Sequence, residues 1–133
     1  MRVLIINTSE RIGGAAIAAN RLMDALRNNG IQAKMLVRDK QTDNITVISL
    51  KKSLWSIWQF VWERIVIWKA NHFKQHNLFA VDIANTGTDI TTYPEFKEAD
   101  IIHLHWVNQG MLSLKDLKKI LQSGKPIVWT MHD

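Results

Sequence analysis

Two adjacent glycines, a pair of histidines two residues apart and a terminal His-Asp pair are the groups in this sequence best placed to do chemistry. Gly13 and Gly14 stand between a polar loop, Asn7 to Ile12, and an alanine-rich segment. His103 and His105 lie in Ile101-Ile102-His103-Leu104-His105-Trp106, where a spacing of two puts both rings on one face of an extended segment. His132 and Asp133 follow the run Ile127 to Met131. Imidazole can donate to, or accept from, a sugar hydroxyl or a phosphate near neutral pH. Adjacent glycines let an anion approach the backbone closely. A helix beginning just after them would add N–H groups without internal partners and the positive end of its dipole. A plainer reading stands beside this one: Gly13-Gly14 is a tight turn against a sheet, and His103 is a structural histidine.

Several chemistries are disfavoured. The glycines are adjacent and not spaced as G-x-G-x-x-G, and no Gly-Lys-Ser/Thr follows them. With Asp39 the sole candidate for a ribose-binding acid, an NAD-type oxidoreductase is disfavoured. His103, His105, His132 and Asp133 match no strong zinc spacing, so neither a metal nor a cofactor is assigned. No Ser/His/Asp order or nucleophile elbow supports a hydrolase. The chain has no cysteine, which removes disulfides, thiolate metal sites and a thiol nucleophile.

The elements that must position these groups read as alternating strands and helices. Val3 to Ile6 is an unbroken apolar run, as in a strand buried on both faces. Ala15 to Leu26 predicts a helix, stopped by Asn28-Asn29-Gly30. Ile31 to Val37 and Ile45 to Leu50 predict two further strands, separated by a polar turn from Arg38 to Asn44. Asn77 to Tyr93 reads as a polar loop with room for one short strand, and Pro94 starts a helical turn. Ile101 to Trp106 predicts a fourth strand, Ser113 caps a helix over Leu114 to Leu121, and Ile127 to Met131 is a fifth strand. Strand, helix, strand predicts an α/β domain, a Rossmann-like parallel sheet flanked by helices. In such sheets ligands bind beyond the carboxyl ends of the strands, which is where Gly13-Gly14, the pair His103 and His105, and His132-Asp133 all fall.

At 133 residues with 47% apolar content the chain is a single globular domain. Its net charge of +5 favours anionic partners, but the Lys and Arg are scattered and no nucleic-acid signature accompanies them. Nucleic acid is therefore not an expected partner. The N-terminus is not a signal peptide, and no stretch of 18 uncharged apolar residues exists.

Lys51 to Asn77 stands apart. Ser53 is a potential cap for a helix that holds Trp55, Trp58, Trp62 and Trp68, four of the six tryptophans. On a helical wheel Leu54, Trp58, Val61, Trp62 and Ile65 share a face, and Ser56, Gln59 and Glu63 form a narrow polar strip flanked by Phe60 and Ile67. Packing against the sheet, packing against a partner or further domain, and contact with a membrane surface are all compatible with that pattern. The expected location is cytoplasmic, with peripheral contact at the inner membrane face through these tryptophans.

Ile12 to Ala16, Ala99 to Trp106 and Gly124 to Asp133, in that order, resemble the N-terminal domain of family 4 glycosyltransferases with the GT-B fold. The likeness is to bacterial polysaccharide-biosynthesis members. It implies two Rossmann-like domains facing across a cleft, and transfer of a sugar from a nucleotide-sugar to an acceptor hydroxyl with retention. It implies that Gly13 and Gly14 approach the donor diphosphate or the acceptor, and that His132 is the strand-end histidine beside the transferred sugar. It also puts His105 on the acceptor side, with Asp133 among the substrate-binding residues. The acceptor would be a glycan or a lipid-linked one. The resemblance carries no metal requirement. It also carries a departure: the paired glutamates eight positions apart that mark the donor site do not occur, the glutamates being Glu10, Glu63, Glu95 and Glu98. The expectation is a fragment, residues 1–133 forming a single partial acceptor-side domain without the C-terminal donor domain. Such a fragment would be inactive alone and would self-associate through an exposed sheet edge. The competing expectation is a non-catalytic Rossmann-like binding or interaction module.

Overall fold

A computed structural model describes residues 1–51, 54–70 and 84–132. The strands are β1 (Arg2–Ser9), β2 (Gln32–Asp39), β3 (Val47–Ser49), β4 (Ile101–Leu104) and β5 (Ile127–Trp129). The helices are α1 (Gly14–Asn28), α2 (Leu54–Ala70), α3 (Pro94–Glu98) and α4 (Leu114–Leu121), with a 3-10 turn over Ile90–Thr92. The five strands form one sheet in the order β3-β2-β1-β4-β5, and every neighbouring pair is parallel. The expected α/β, Rossmann-like sheet flanked by helices is the fold the chain adopts.

Burial on both faces explains the unbroken apolar run of β1. Leu4 and Ile6 point into a core shared with Leu36, Ile102, Phe96 and Ile120, beneath α3 and α4. Val3 and Ile5 point the other way, against Ala19 and Met23 of α1 and Met35 of β2. Helix α1 ends as its sequence predicts: Gly30 takes φ +78°, and the Ile31 N–H returns to the Leu26 carbonyl (3.0 Å). Ser113 and Asp116 form the reciprocal capping box that starts α4.

Four boundaries differ from expectation. Strand β1 runs on to Ser9 through Asn7 and Thr8, where the sequence predicts a loop. Both residues are buried because their side chains bond the loop beyond β4. Strands β3, β4 and β5 are shorter than the apolar runs that contain them. Ile45 is an exposed residue of the approach to β3, and His105 and Trp106 lie just beyond the end of β4, with Trp106 at the cleft wall. Ser53 and the predicted helical continuation over residues 71–77 lie outside the described residues.

The larger correction concerns α2. Its apolar face does not pack against the sheet: Trp58, Val61, Trp62 and Ile65 are exposed, while Glu63 is buried. Glu63 turns inward because it has partners there, accepting from Thr86 Oγ1 (2.8 Å) and pairing with the largely buried Arg64 (3.5 Å). The Trp55 side chain lies outside the described residues. Strand β5 borders only β4 among the described residues, and Val128 and Trp129 are exposed there.

Candidate functional site

The order β3-β2-β1-β4-β5 reverses between β1 and β4, so the crevice beyond their carboxyl ends is the topological switch point. An open cleft of about 480 Å³ lies there. Its walls include Thr8, Ser9, Gly13, Gly14, Asp39, Trp106 and His132. Each comes from the end of a strand or the loop after it, so the sheet itself sets their relative positions.

The β1–α1 turn forms one wall. Gly13 precedes α1 with φ 91° and ψ 163°, a conformation essentially reserved for glycine. No side chain caps α1 and no acidic residue occupies its first turn. Its leading N–H groups therefore face the cleft with the positive end of the helix dipole behind them. A Cβ at Gly14 would meet nothing within 4 Å, so its absence leaves the backbone open to a ligand and relieves no clash.

Neighbouring contacts hold this turn still. The buried Glu10 carboxylate accepts from the Thr42 N–H (2.9 Å), the Gln41 N–H and the Thr42 hydroxyl. Burial alone would raise its pKa, but these hydrogen bonds outweigh that and hold it below the ordinary value. On the opposite side, Thr8 donates from its N–H and its hydroxyl to the Trp106 carbonyl (2.7 and 2.9 Å). The Trp106 N–H donates to Asn7 Oδ1 (3.0 Å). These bonds fix the Trp106 backbone at the cleft wall. Arg38 joins Asp39 (2.7 Å) and donates to the Gln109 carbonyl, tying the end of β2 to the loop after β4.

The histidines form a stack across β4 and β5. The rings of His103 and His105 have centroids 4.6 Å apart, and those of His105 and His132 lie 5.2 Å apart. His103 Nε2 lies 2.8 Å from Thr130 Oγ1, and His105 Nδ1 lies 3.0 Å from His132 Nε2. Of the three, His132 lines the cleft. His105 is 4% exposed and stands behind His132. Burial, and secondarily the neighbouring His103 and His132, push its pKa down to about 4, so it is neutral at physiological pH. Burial also lowers the pKa of His103.

His105 Nε2 is buried with no hydrogen-bond partner among the described residues. A buried N–H without an acceptor costs more than a bare lone pair. That favours placing the His105 proton on Nδ1, where it donates to His132 Nε2.

The structure brings Gly13, Gly14 and His132 onto one cleft and puts His105 one ring further back. Asp133 lies outside the described residues. Among the described residues no group of three or more His, Asp or Glu could hold a metal ion. Asn7 and Thr8, read from the sequence as loop residues, line the cleft together with Trp106 and Gln109, to which the sequence assigns no role, and with Asp39, which the sequence marks only as a weak candidate for a ribose-binding acid. The available signal was polar residues directly after a buried strand, but their partners lie about a hundred residues away. The chain matches no known protein family, no characterised protein and no solved structure.

Proposed function

We propose that this chain is the acceptor-side domain of a retaining glycosyltransferase of GT-B architecture, of the kind that builds bacterial polysaccharides or glycoconjugates. The observation that carries the reading is the meeting of the uncapped α1 N-terminus with His132 across one open cleft at the switch point. The order of the three motifs along the chain supports it as well.

The chemistry fits those groups. In retaining transfer the anomeric C–O bond to the diphosphate breaks, and the acceptor hydroxyl oxygen bonds to the same face of that carbon. Negative charge grows on the departing diphosphate, which takes up the hydroxyl proton. Backbone N–H groups at Gly14 and Ala15 offer fixed dipoles to that charge without reorganising. The His132 imidazole is suited to a sugar hydroxyl or to a phosphate oxygen. Trp106 adds an aromatic surface of the kind that covers an apolar sugar face. In this reading a second domain supplies the donor grip that the missing glutamate pair represents.

Titration of the isotope-labelled chain with inorganic pyrophosphate and with a nucleoside diphosphate tests the reading. Amide shifts should centre on Gly13 to Ala16, with ring shifts at His132. Gly14→Val should weaken binding roughly fivefold without unfolding the chain, since the added atoms enter open space. Absence of shifts, or shifts confined to other surfaces, would overturn the site. Sugar transfer or donor hydrolysis by residues 1–133 alone would overturn the assignment to the acceptor side.

A further inference from the structure

Helix α2 presents the reverse of an ordinary surface helix. Its inward side carries Glu63, Arg64 and Ile67. Its outward side carries Ile57, Trp58, Val61, Trp62, Ile65 and Val66, with Trp58 71% and Trp62 66% exposed. At 3.6 residues per turn these six cover roughly half of the helix circumference. Glu63, the sole carboxylate of the helix, is turned away from that half. A contiguous apolar surface of this kind marks a binding face.

The chemistry of the face and its surroundings selects the occupant. Its large residues include tryptophans, whose rings suit the boundary between headgroups and acyl chains. Exposed Lys51 precedes the helix and exposed Lys69 lies in its last turn. The chain as a whole carries +5, which attracts an anionic leaflet and repels a second copy of itself. At 1.5 Å per residue the helix is about 25 Å long. No described helix is long and apolar enough to cross a membrane. We propose that α2 lies in the plane of an anionic phospholipid surface, anchored by Trp58 and Trp62 and flanked by lysines at both ends. The inference rests on α2 alone and is independent of the reading of the cleft.

Flotation of the chain with vesicles of equal parts phosphatidylcholine and phosphatidylglycerol, against phosphatidylcholine alone, tests it. The chain should float with the anionic vesicles and bind the neutral ones much less. Trp58→Ser with Trp62→Ser should reduce the lipid-bound fraction about tenfold. Circular dichroism and melting temperature should not change, because both residues are exposed. Lys51→Glu with Lys69→Glu should reduce binding to the anionic vesicles and leave the small neutral-vesicle signal unaltered. Failure to float overturns the proposal. So does lipid binding that the tryptophan variant leaves intact, which would assign binding to the general basic surface. Light scattering that shows a dimer abolished by the tryptophan variant, without lipid binding, would assign the face to a second copy instead.

Discussion

His105 stands one ring back from the cleft, with its Nδ1 3.0 Å from His132 Nε2. A neutral buried histidine has a signature in stability. Its folded pKa, about 4, lies below the ordinary 6.5, so the folded chain holds fewer protons than the unfolded one in between. That contribution is complete above pH 6.5 and is lost as pH falls toward 4. Unfolding free energy should therefore drop on the order of 2 kcal/mol over that interval. His103 adds to the drop in the same direction. The lowered carboxyls of Glu10, Asp89 and Asp100 contribute only further down, as pH falls below their ordinary values of 4.5 and 3.8. Denaturant unfolding at a series of pH values, on the native chain and on His105→Gln, reads the effect. The substitution should flatten the upper part of the acid limb, and an unchanged limb would show that His105 does not titrate this way.

Among the elements, α4 shows how one glycine fixes a junction. A Cβ on Gly87 would collide with the Ser113 backbone nitrogen and the Asp116 carboxylate, the donor and acceptor of one of the two bonds of the capping box. The Thr88 N–H donates to the Met111 carbonyl (3.0 Å) and the Leu114 N–H to the Ala84 carbonyl (2.8 Å), so the segment cannot drift away from the helix start. Gly87→Ala should destabilise the chain by about 2 kcal/mol through overpacking and loss of the cap. Thermal unfolding measures it, and a loss below a few tenths of a kcal/mol would mean the segment can shift. Helix α2 differs in kind. Trp58, Val61, Trp62 and Ile65 stay outside, while Glu63 accepts from Thr86 and pairs with Arg64 on the inward side.

At the scale of the whole molecule, helices cover both faces of the sheet. Adjacent residues of β1 therefore serve separate cores, Ile5 beneath α1 and Ile6 beneath α3 and α4, and both are fully buried. Ile5→Val and Ile6→Val should each cost about 1 kcal/mol, measured by denaturant unfolding. In a sheet with one wetted face the two effects would differ sharply, and such a difference would contradict the double covering. The same architecture gathers the cleft. With β1 between β2 and β4, the loops after β1 and β4 rim one crevice, and Asp39 and His132 follow their strands to its edge.

Local pattern alone determined a good part of this protein. The run Val3 to Ile6 required a doubly buried strand, the alanines after Gly14 required a helix, and Gly30 and Ser113 marked helix ends by backbone geometry that few residues satisfy. These signals are legible because each depends on neighbours within a few positions. Tertiary structure decided the rest. Asn7 and Thr8 became strand residues because their partners, Trp106 and Asn108, approach from about a hundred positions away. His105 came to lie behind His132 through the pairing of β4 with β5, which no spacing within either strand encodes. The outward turn of Trp58 and Trp62 was likewise settled by where Glu63 found Thr86. Periodicity defines the faces of a helix, but which face is buried depends on the partners the rest of the fold supplies.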